Sequence, residues 1–141
     1  MVERIYDTKL YEQYRPSKAE VVSDIMWIRL KFLRQNLERA ARRIVKGQVI
    51  DVPLDYLYKI GEKQDWHCAL TGQPLEFERG GTYWGGKWCN PNSCTIDRID
   101  SAKGYVRGNI QLVTWKVNCI KQHFDNQEFI DLCHQVSKFN K

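Results

Sequence analysis

Long apolar runs are absent from this chain of 141 residues. The opening stretch, MVERIYDTKLYEQYRPSK, contains no apolar signal core. No segment approaches the roughly 20 consecutive apolar residues that a membrane-spanning helix needs. These absences argue against a membrane partner and a secretory route, so the sequence predicts a soluble, intracellular protein of the cytoplasm.

Regularly spaced cysteine pairs are also absent. The count is odd and the spacing irregular, which favours reduced thiols over a disulfide framework. Cys68 is followed by Ala-Leu-Thr, so a CxxC pair lacks its second thiol. A structural zinc site from His67, Cys68, Cys89 and Cys94 is conceivable, but it lacks proper ligand spacing. We therefore expect ordinary thiols and no structural Zn²⁺.

Positive charge is in excess. There are 22 Lys and Arg against 17 Asp and Glu, a formal charge of +5, and 43% of the residues are hydrophobic. This hydrophobic content is enough for a folded domain. The basic excess favours a polyanionic partner, because neutralising phosphates releases counterions.

Much of this charge lies on one predicted helix. Residues 19–46 have apolar positions at three- and four-residue steps, which indicates a long amphipathic helix. From Arg29 to Lys46 there are seven cationic residues and a single acidic residue, Glu38. The face is either a solvated surface or a phosphate-binding one. We predict that residues 1–51 form a basic, DNA-binding arm with three DNA contacts: Arg39, Arg42 and Arg43.

The rest of the chain predicts an α+β fold with little sheet. A helix begins at Pro53, a loop or irregular hairpin contains Gly80-Gly81 and Gly85-Gly86, and short strands cover residues 94–99 and 110–113. A helix follows the second strand, with Thr114 as its cap.

A final helix is predicted from Asp125, because Glu128 completes a capping-box pattern. We expect this helix to bury five apolar side chains: Phe129, Ile130, Leu132, Val136 and Phe139. Trp115 and Phe124 are also expected in the core.

Three polar residues of the strand, loop, strand and helix segment suggest chemistry. Asp97 lies in the first strand, Asn109 ends the loop, and Asn118 lies one turn into the helix, so Asp97 and Asn118 can converge. Their oxygen ligands suit Mg²⁺ or Mn²⁺. Open positions on the ion would accept water and a phosphate. Asp97 could instead pair with a nearby cation, and Asp100 could cap an Asx-turn.

The segments CALTGQPL, SCTIDRIDSAKGYVRGNIQLVTWKVNCIK and FDNQEFIDLC resemble the HNH endonucleases with the ββα-metal motif. The likeness is to the phage and bacterial branch with a D-R-I-D, K-G-Y and G-N-I/V-Q pattern. It implies an HNH-like nuclease domain over residues 52–141, with a ββα core at about 93–123 and a C-terminal helix. It also implies double-stranded DNA as partner, one Mg²⁺ or Mn²⁺ ion per site, and host cytoplasm for a phage-encoded protein.

The resemblance implies roles for single residues. Asp97 and Asn118 match the metal ligands, Asn109 matches the residue that orders the loop, and Lys121 could meet a phosphate. Arg98 stands where the family has its general-base histidine. A guanidinium, with a pKa above about 12, cannot accept a proton from water at neutral pH. It can steady the charge of a phosphate.

For further DNA contacts and for the general base, the sequence leaves alternatives open. Lys103 and Arg107, on the loop, are either solvated or bound to phosphate. His67, His123 and His134 do not easily replace the missing base. Two aromatic segments remain open between base stacking and packing under the loop: Tyr83-Trp84 and Trp88.

The expected function is thus a metal-dependent DNA endonuclease that nicks or cuts both strands. The first alternative is a DNA-binding protein whose HNH site is degenerate and inactive, which the presence of Arg98 favours. The second is a metal-stabilised protein-interaction domain with a solvated basic face.

Overall fold

The computed structural model describes residues 24–43 and 50–141. The predicted arm is therefore seen only from residue 24 to 43 and at 50 and 51, and its other residues lie outside the described part. Four helices are described: α1 (Ile25–Arg43), α2 (Leu54–Lys63), α3 (Trp115–Lys121) and α4 (Asn126–Phe139). Six short strands accompany them: β1 (Ile50–Asp51), β2 (Thr82–Trp84), β3 (Lys87–Cys89), β4 (Cys94–Arg98), β5 (Tyr105–Val106) and β6 (Ile110–Thr114). The predicted α+β class is confirmed.

The strands form three separate pairs. β4 and β6 are antiparallel, with Asp97 opposite Gln111. The loop between them contributes β5, which pairs in parallel with β1. β2 and β3 form an antiparallel hairpin of their own. The β4–β6 hairpin is followed directly by α3, which is the order of elements that the sequence predicted.

Local sequence signals explain several boundaries. The Thr114 hydroxyl accepts a hydrogen bond from the backbone N–H of Val117 and so caps α3. Asp125 and Glu128 form both bonds of a capping box at the start of α4. Between β2 and β3, Gly85 and Gly86 have φ of 59° and 84°. Glycine adopts these left-handed conformations without strain, and they allow a tight hairpin. These three predictions are confirmed.

The core lies between α1, α2 and the β4–β6 hairpin. Leu30, Leu33 and Leu37 form the inner face of α1 and are fully or almost fully buried. Asn36 is also buried there, and its Nδ2 donates to the Cys94 carbonyl at 2.8 Å. This bond pairs a buried amide with a backbone carbonyl and ties α1 to β4. Within the described ranges, no helix is both long and apolar enough to cross a bilayer.

The expected burial of the C-terminal helix is wrong. No residue of α4 is buried, and Phe139 is 89% exposed. Only Phe129, near the start of α4, packs against the core. The helix has an amphipathic pattern, but the apolar side chains of its later turns are exposed. Phe124 is also exposed, whereas Trp115 is half-buried.

Candidate functional site

Asp97 lies in a buried polar network. Its Oδ2 is 3.0 Å from the Lys121 ammonium and accepts a hydrogen bond from Gln111 Nε2 at 2.8 Å. The side chain of Asp97 is 4% exposed and that of Lys121 is 0% exposed. Lys121 Nζ also donates to the Arg98 carbonyl at 2.8 Å. The amide of Asn126 extends the network by exchanging hydrogen bonds with Gln111. Both charges are thus paired and hydrogen-bonded, as burial requires.

Strand and helix periodicities place these groups. Thr95 and Asp97 are two residues apart on β4 and share one face of the strand, while Asn118 and Lys121 are three apart on α3. The two elements therefore meet at two polar contacts. Asn118 Nδ2 donates to Thr95 Oγ1 at 3.3 Å, and Lys121 pairs with Asp97. The helical residue that meets Asp97 is Lys121, one turn beyond the expected Asn118.

These residues do not fit a divalent ion held by Asp97 and Asn118. A cation is already bound at Asp97, since the Lys121 ammonium lies within ion-pair distance of its carboxylate. An added Mg²⁺ or Mn²⁺ would be repelled by that ammonium unless Lys121 moved away. The pairing of Asp97 with a nearby cation, one of the two interpretations of the sequence, is the arrangement in the structure. The Lys121 side chain is fully buried and paired with Asp97, so a phosphate contact would require it to leave this position, and that contact stays a prediction.

Arg98 and Asn109 hold the loop between β4 and β6. Arg98 Nη1 donates to the Ser101 carbonyl at 3.2 Å, and its guanidinium lies 5.1 Å from the centroid of the Tyr105 ring. Asn109 accepts from the backbone N–H of Asp100 and donates to the carbonyls of Asp100 and Gly104, at 2.9, 2.9 and 3.0 Å. Asn109 thus connects backbone groups at both ends of the loop, and its part in a catalytic site stays a prediction. Asp100 forms the expected Asx-turn through the Ala102 N–H.

The remaining predicted contacts of the loop are on the surface. Lys103 lies 3.8 Å from the Asp100 carboxylate, and Arg107 lies over the Tyr56 ring at 5.7 Å. Both are exposed, so phosphate binding by these two residues stays a prediction. Of the histidines, His123 is exposed and stacks on Phe124, and His134 is exposed on α4.

A cavity of about 540 Å³ lies between α1, the β2–β3 hairpin and the β4–α3 contact. We call it the arginine cavity. Five cations line it: Arg39, Arg42, Arg43, Arg79 and Lys87. Amides and indoles also line it: Asn36, Asn90, Asn118, Trp88 and Trp115. Among the described residues that line this cavity there is no carboxylate and no histidine.

Arg79 contributes a positive charge to the lining of the cavity. It is half-buried, and its Nη2 donates to Asn36 Oδ1 at 3.0 Å and to Gln35 Oε1 at 3.4 Å. The guanidinium also lies over the Phe32 ring at 4.2 Å. Burial, and then the like charge of Arg39, lower the pKa of Arg79. The contacts of Arg79 are neutral, so its positive charge is available to an anion.

The structure therefore divides the predicted site residues into two groups. Arg39, Arg42, Arg43 and Asn118 share the arginine cavity, whereas Asp97, Arg98, Asn109 and Lys121 form the hairpin network and its loop. Sequence reasoning did not assign four polar cavity residues to a site: Asn36, Arg79, Lys87 and Asn90. The signal for the two cations was a glycine-rich stretch in which basic residues alternate with aromatics, a composition that suits nucleic-acid contacts.

Comparisons of the chain with family models, with curated proteins and with solved structures found no match. The functional argument accordingly rests on the geometry of the arginine cavity and of the hairpin network.

Proposed function

We propose that this protein binds DNA through its phosphates in the arginine cavity. The observation that carries the proposal is the lining of the cavity, where five cations occur without a carboxylate among the described residues. Like charges gathered around a concave surface are unfavourable unless an anion neutralises them. A polyanion gains affinity from each phosphate that it places there, because counterions are released.

The side-chain types support phosphate as the ligand. Arg39, Arg42 and Arg43 lie at the C-terminal end of α1 at steps of three and four residues, so their exposed side chains project from neighbouring positions on one face. Guanidinium groups bind phosphate oxygens in a bidentate way. A volume of about 540 Å³ is that of a ligand pocket and exceeds what a single small ion fills.

The first experiment measures binding to a 20-base-pair duplex by fluorescence anisotropy from about 50 to 200 mM salt. The triple variant Arg39→Gln, Arg42→Gln, Arg43→Gln should bind at least tenfold more weakly at low salt. Its slope of log affinity against log salt should fall by up to about 2.7, because each lost phosphate contact removes about 0.9.

A matched control removes the same amount of charge elsewhere. Three exposed lysines that do not line the cavity serve this purpose, in a triple glutamine variant: Lys59, Lys63 and Lys138. Equal loss of affinity in the two triple variants would contradict a localised site. A Lys103→Gln, Arg107→Gln variant tests whether the loop also touches DNA.

Hydrolysis of DNA is the second candidate, as the resemblance implies. Two observations favour it: β4, β6 and α3 follow one another in the expected order, and Asn118 lines the arginine cavity in which a phosphate is proposed to bind. Hydrolysis that used Asp97 would require Lys121 to leave the carboxylate. The geometry therefore supports binding better than cutting.

A supercoiled-plasmid assay with Mg²⁺, Mn²⁺ or EDTA separates the two candidates. Under the binding proposal, the wild type leaves the plasmid intact while it retards it on a gel. Metal-dependent nicking that is lost in both Asp97→Ala and Asn118→Ala, at a temperature where circular dichroism shows both variants folded, would establish the second candidate. Nicking that persists in both variants would point to a contaminating nuclease.

A further inference from the structure

The β2–β3 hairpin presents aromatic side chains to solvent next to the arginine cavity. Tyr83 and Trp88 are opposite each other in the hairpin, and they are 63% and 74% exposed. Their rings are in edge contact, with centroids 5.7 Å apart. Large exposed aromatics that lie together often mark a binding surface. Of the two, Trp88 lines the cavity.

Charge and aromatic surface are continuous at this edge. Lys87 precedes Trp88 and lines the same cavity, and its ammonium lies 4.5 Å from the centroid of the Trp115 ring. A cation over an indole ring keeps its positive charge. A ligand in the cavity therefore meets cations and the exposed indole of Trp88 together.

We infer that the arginine cavity takes a DNA strand with unpaired bases, whose phosphates lie on the arginines while one base stacks on Trp88. This inference rests on the proposed phosphate binding and adds the kind of strand. An indole next to a cationic groove is the arrangement by which proteins bind single strands, because every base has a π-face. In a duplex these faces are covered by neighbouring base pairs, so Trp88 would gain little from it.

The packing alternative for Trp88 does not fit the hairpin. A tryptophan that packed under the loop would be mostly covered, whereas most of Trp88 is open to solvent. The contact with Tyr83 is edge-type and leaves most of the Trp88 side chain open. A base could reach the exposed ring surface without unfolding the hairpin.

The test compares three labelled ligands with the same number of nucleotides per strand: a single strand, the same strand with abasic sites throughout, and the duplex. The wild type should bind the single strand roughly tenfold more tightly than the abasic strand, since one stacked base contributes a factor of this order. Trp88→Ala should remove this difference and leave affinity for the abasic strand unchanged. Trp88→Phe should keep most of it.

Phe139→Ala is the matched control, because Phe139 is an exposed aromatic that does not line the cavity. It should bind all three ligands as the wild type does. The inference is overturned if Trp88→Ala weakens binding of the abasic strand as much as that of the normal strand. It is also overturned if the wild type prefers the duplex and Trp88→Ala has no effect.

The failure of this inference can be told apart from the failure of the proposed function. Salt-dependent binding of all three ligands with equal affinity would keep phosphate binding in the arginine cavity and reject stacking. If none of the three ligands binds, both the phosphate-binding proposal and the stacking inference are rejected. The expected result is at least tenfold weaker binding of all three ligands by the triple arginine variant, together with loss of only the base-dependent affinity in Trp88→Ala.

Discussion

Replacing Lys121 by methionine tests the buried network most directly. The substitution removes the ammonium that lies 3.0 Å from Asp97 and leaves the carboxylate buried, with only the Gln111 amide as its described hydrogen-bond donor. Breaking a buried ion pair from one side costs about 3–5 kcal/mol, mostly because the remaining charge is uncompensated. For a chain of this size each kcal/mol lowers Tm by about 3 °C, so Lys121→Met should melt roughly 10–15 °C lower.

The pair can also be removed from both sides. Asp97→Asn keeps a side-chain oxygen for the Gln111 amide but leaves Lys121 buried without a counter-charge, so it should also be strongly destabilising. The double variant Asp97→Asn, Lys121→Met buries no charge and should recover a large part of the stability. Lys103→Met, which removes the exposed pair with Asp100, should change the free energy of unfolding by less than about 1 kcal/mol.

The measurement is urea and thermal unfolding followed by far-UV circular dichroism, with Mg²⁺ or with EDTA. Additive losses in the double variant, or a loss below about 1 kcal/mol in Lys121→Met, would refute the buried coupled pair. A wild-type Tm that rises with Mg²⁺, and no longer does so in Asp97→Asn, would show that an ion displaces Lys121. The argument against a metal at this carboxylate would then fail.

Three further predictions concern the loop, a helix glycine and the thiols. Asn109→Ala should lower the free energy of unfolding by about 2–3 kcal/mol, measured in urea, because loop groups lose three hydrogen bonds; a loss below about 0.5 kcal/mol would contradict this. Gly61→Ala should lower Tm although alanine favours helices, because its Cβ would overlap the Trp66 ring; a raised Tm would show that the ring can move. Burial raises the pKa of the Cys94 thiol, so Ellman's reagent should modify exposed Cys133 and spare Cys94 until the protein unfolds, as checked by peptide mass spectrometry.

Features set by neighbouring residues could be predicted from the sequence. The Thr114 cap, the Asp125 capping box and the turn at Gly85-Gly86 each depend on groups within a few positions. A side chain that bonds a backbone group three residues away leaves the same pattern in any fold. The loop-ordering role of Asn109 came from the family resemblance and not from such a local pattern, although its hydrogen bonds also reach groups only five to nine positions away.

Features set by the packing of distant segments could not be predicted from the sequence. The partner of Asp97 depends on how far α3 is shifted along its axis relative to β4. Sequence spacing does not distinguish two positions one helical turn apart, so it could not show that Asp97 meets Lys121 rather than Asn118. The exposed face of α4 is a similar case, since an amphipathic pattern shows which residues could be buried but not whether another element covers them. Arg79 is a further case, because its place in the cavity lining depends on a hydrogen bond to Asn36 on α1, which is distant in the sequence.

The two proposed functions, binding DNA and cutting it, differ in two requirements that hydrolysis imposes. The carboxylate that the resemblance assigns to a metal ion is bound by Lys121, and Arg98, in the place of the base, cannot accept a proton and is engaged with loop carbonyls. The described lining of the arginine cavity contains no histidine or carboxylate that could replace either group. Phosphate binding needs neither requirement, because the cavity supplies the positive charge by itself. Replacing Lys121 alone would free the Asp97 carboxylate for a metal ion. The attacking water would still have no group to accept its proton.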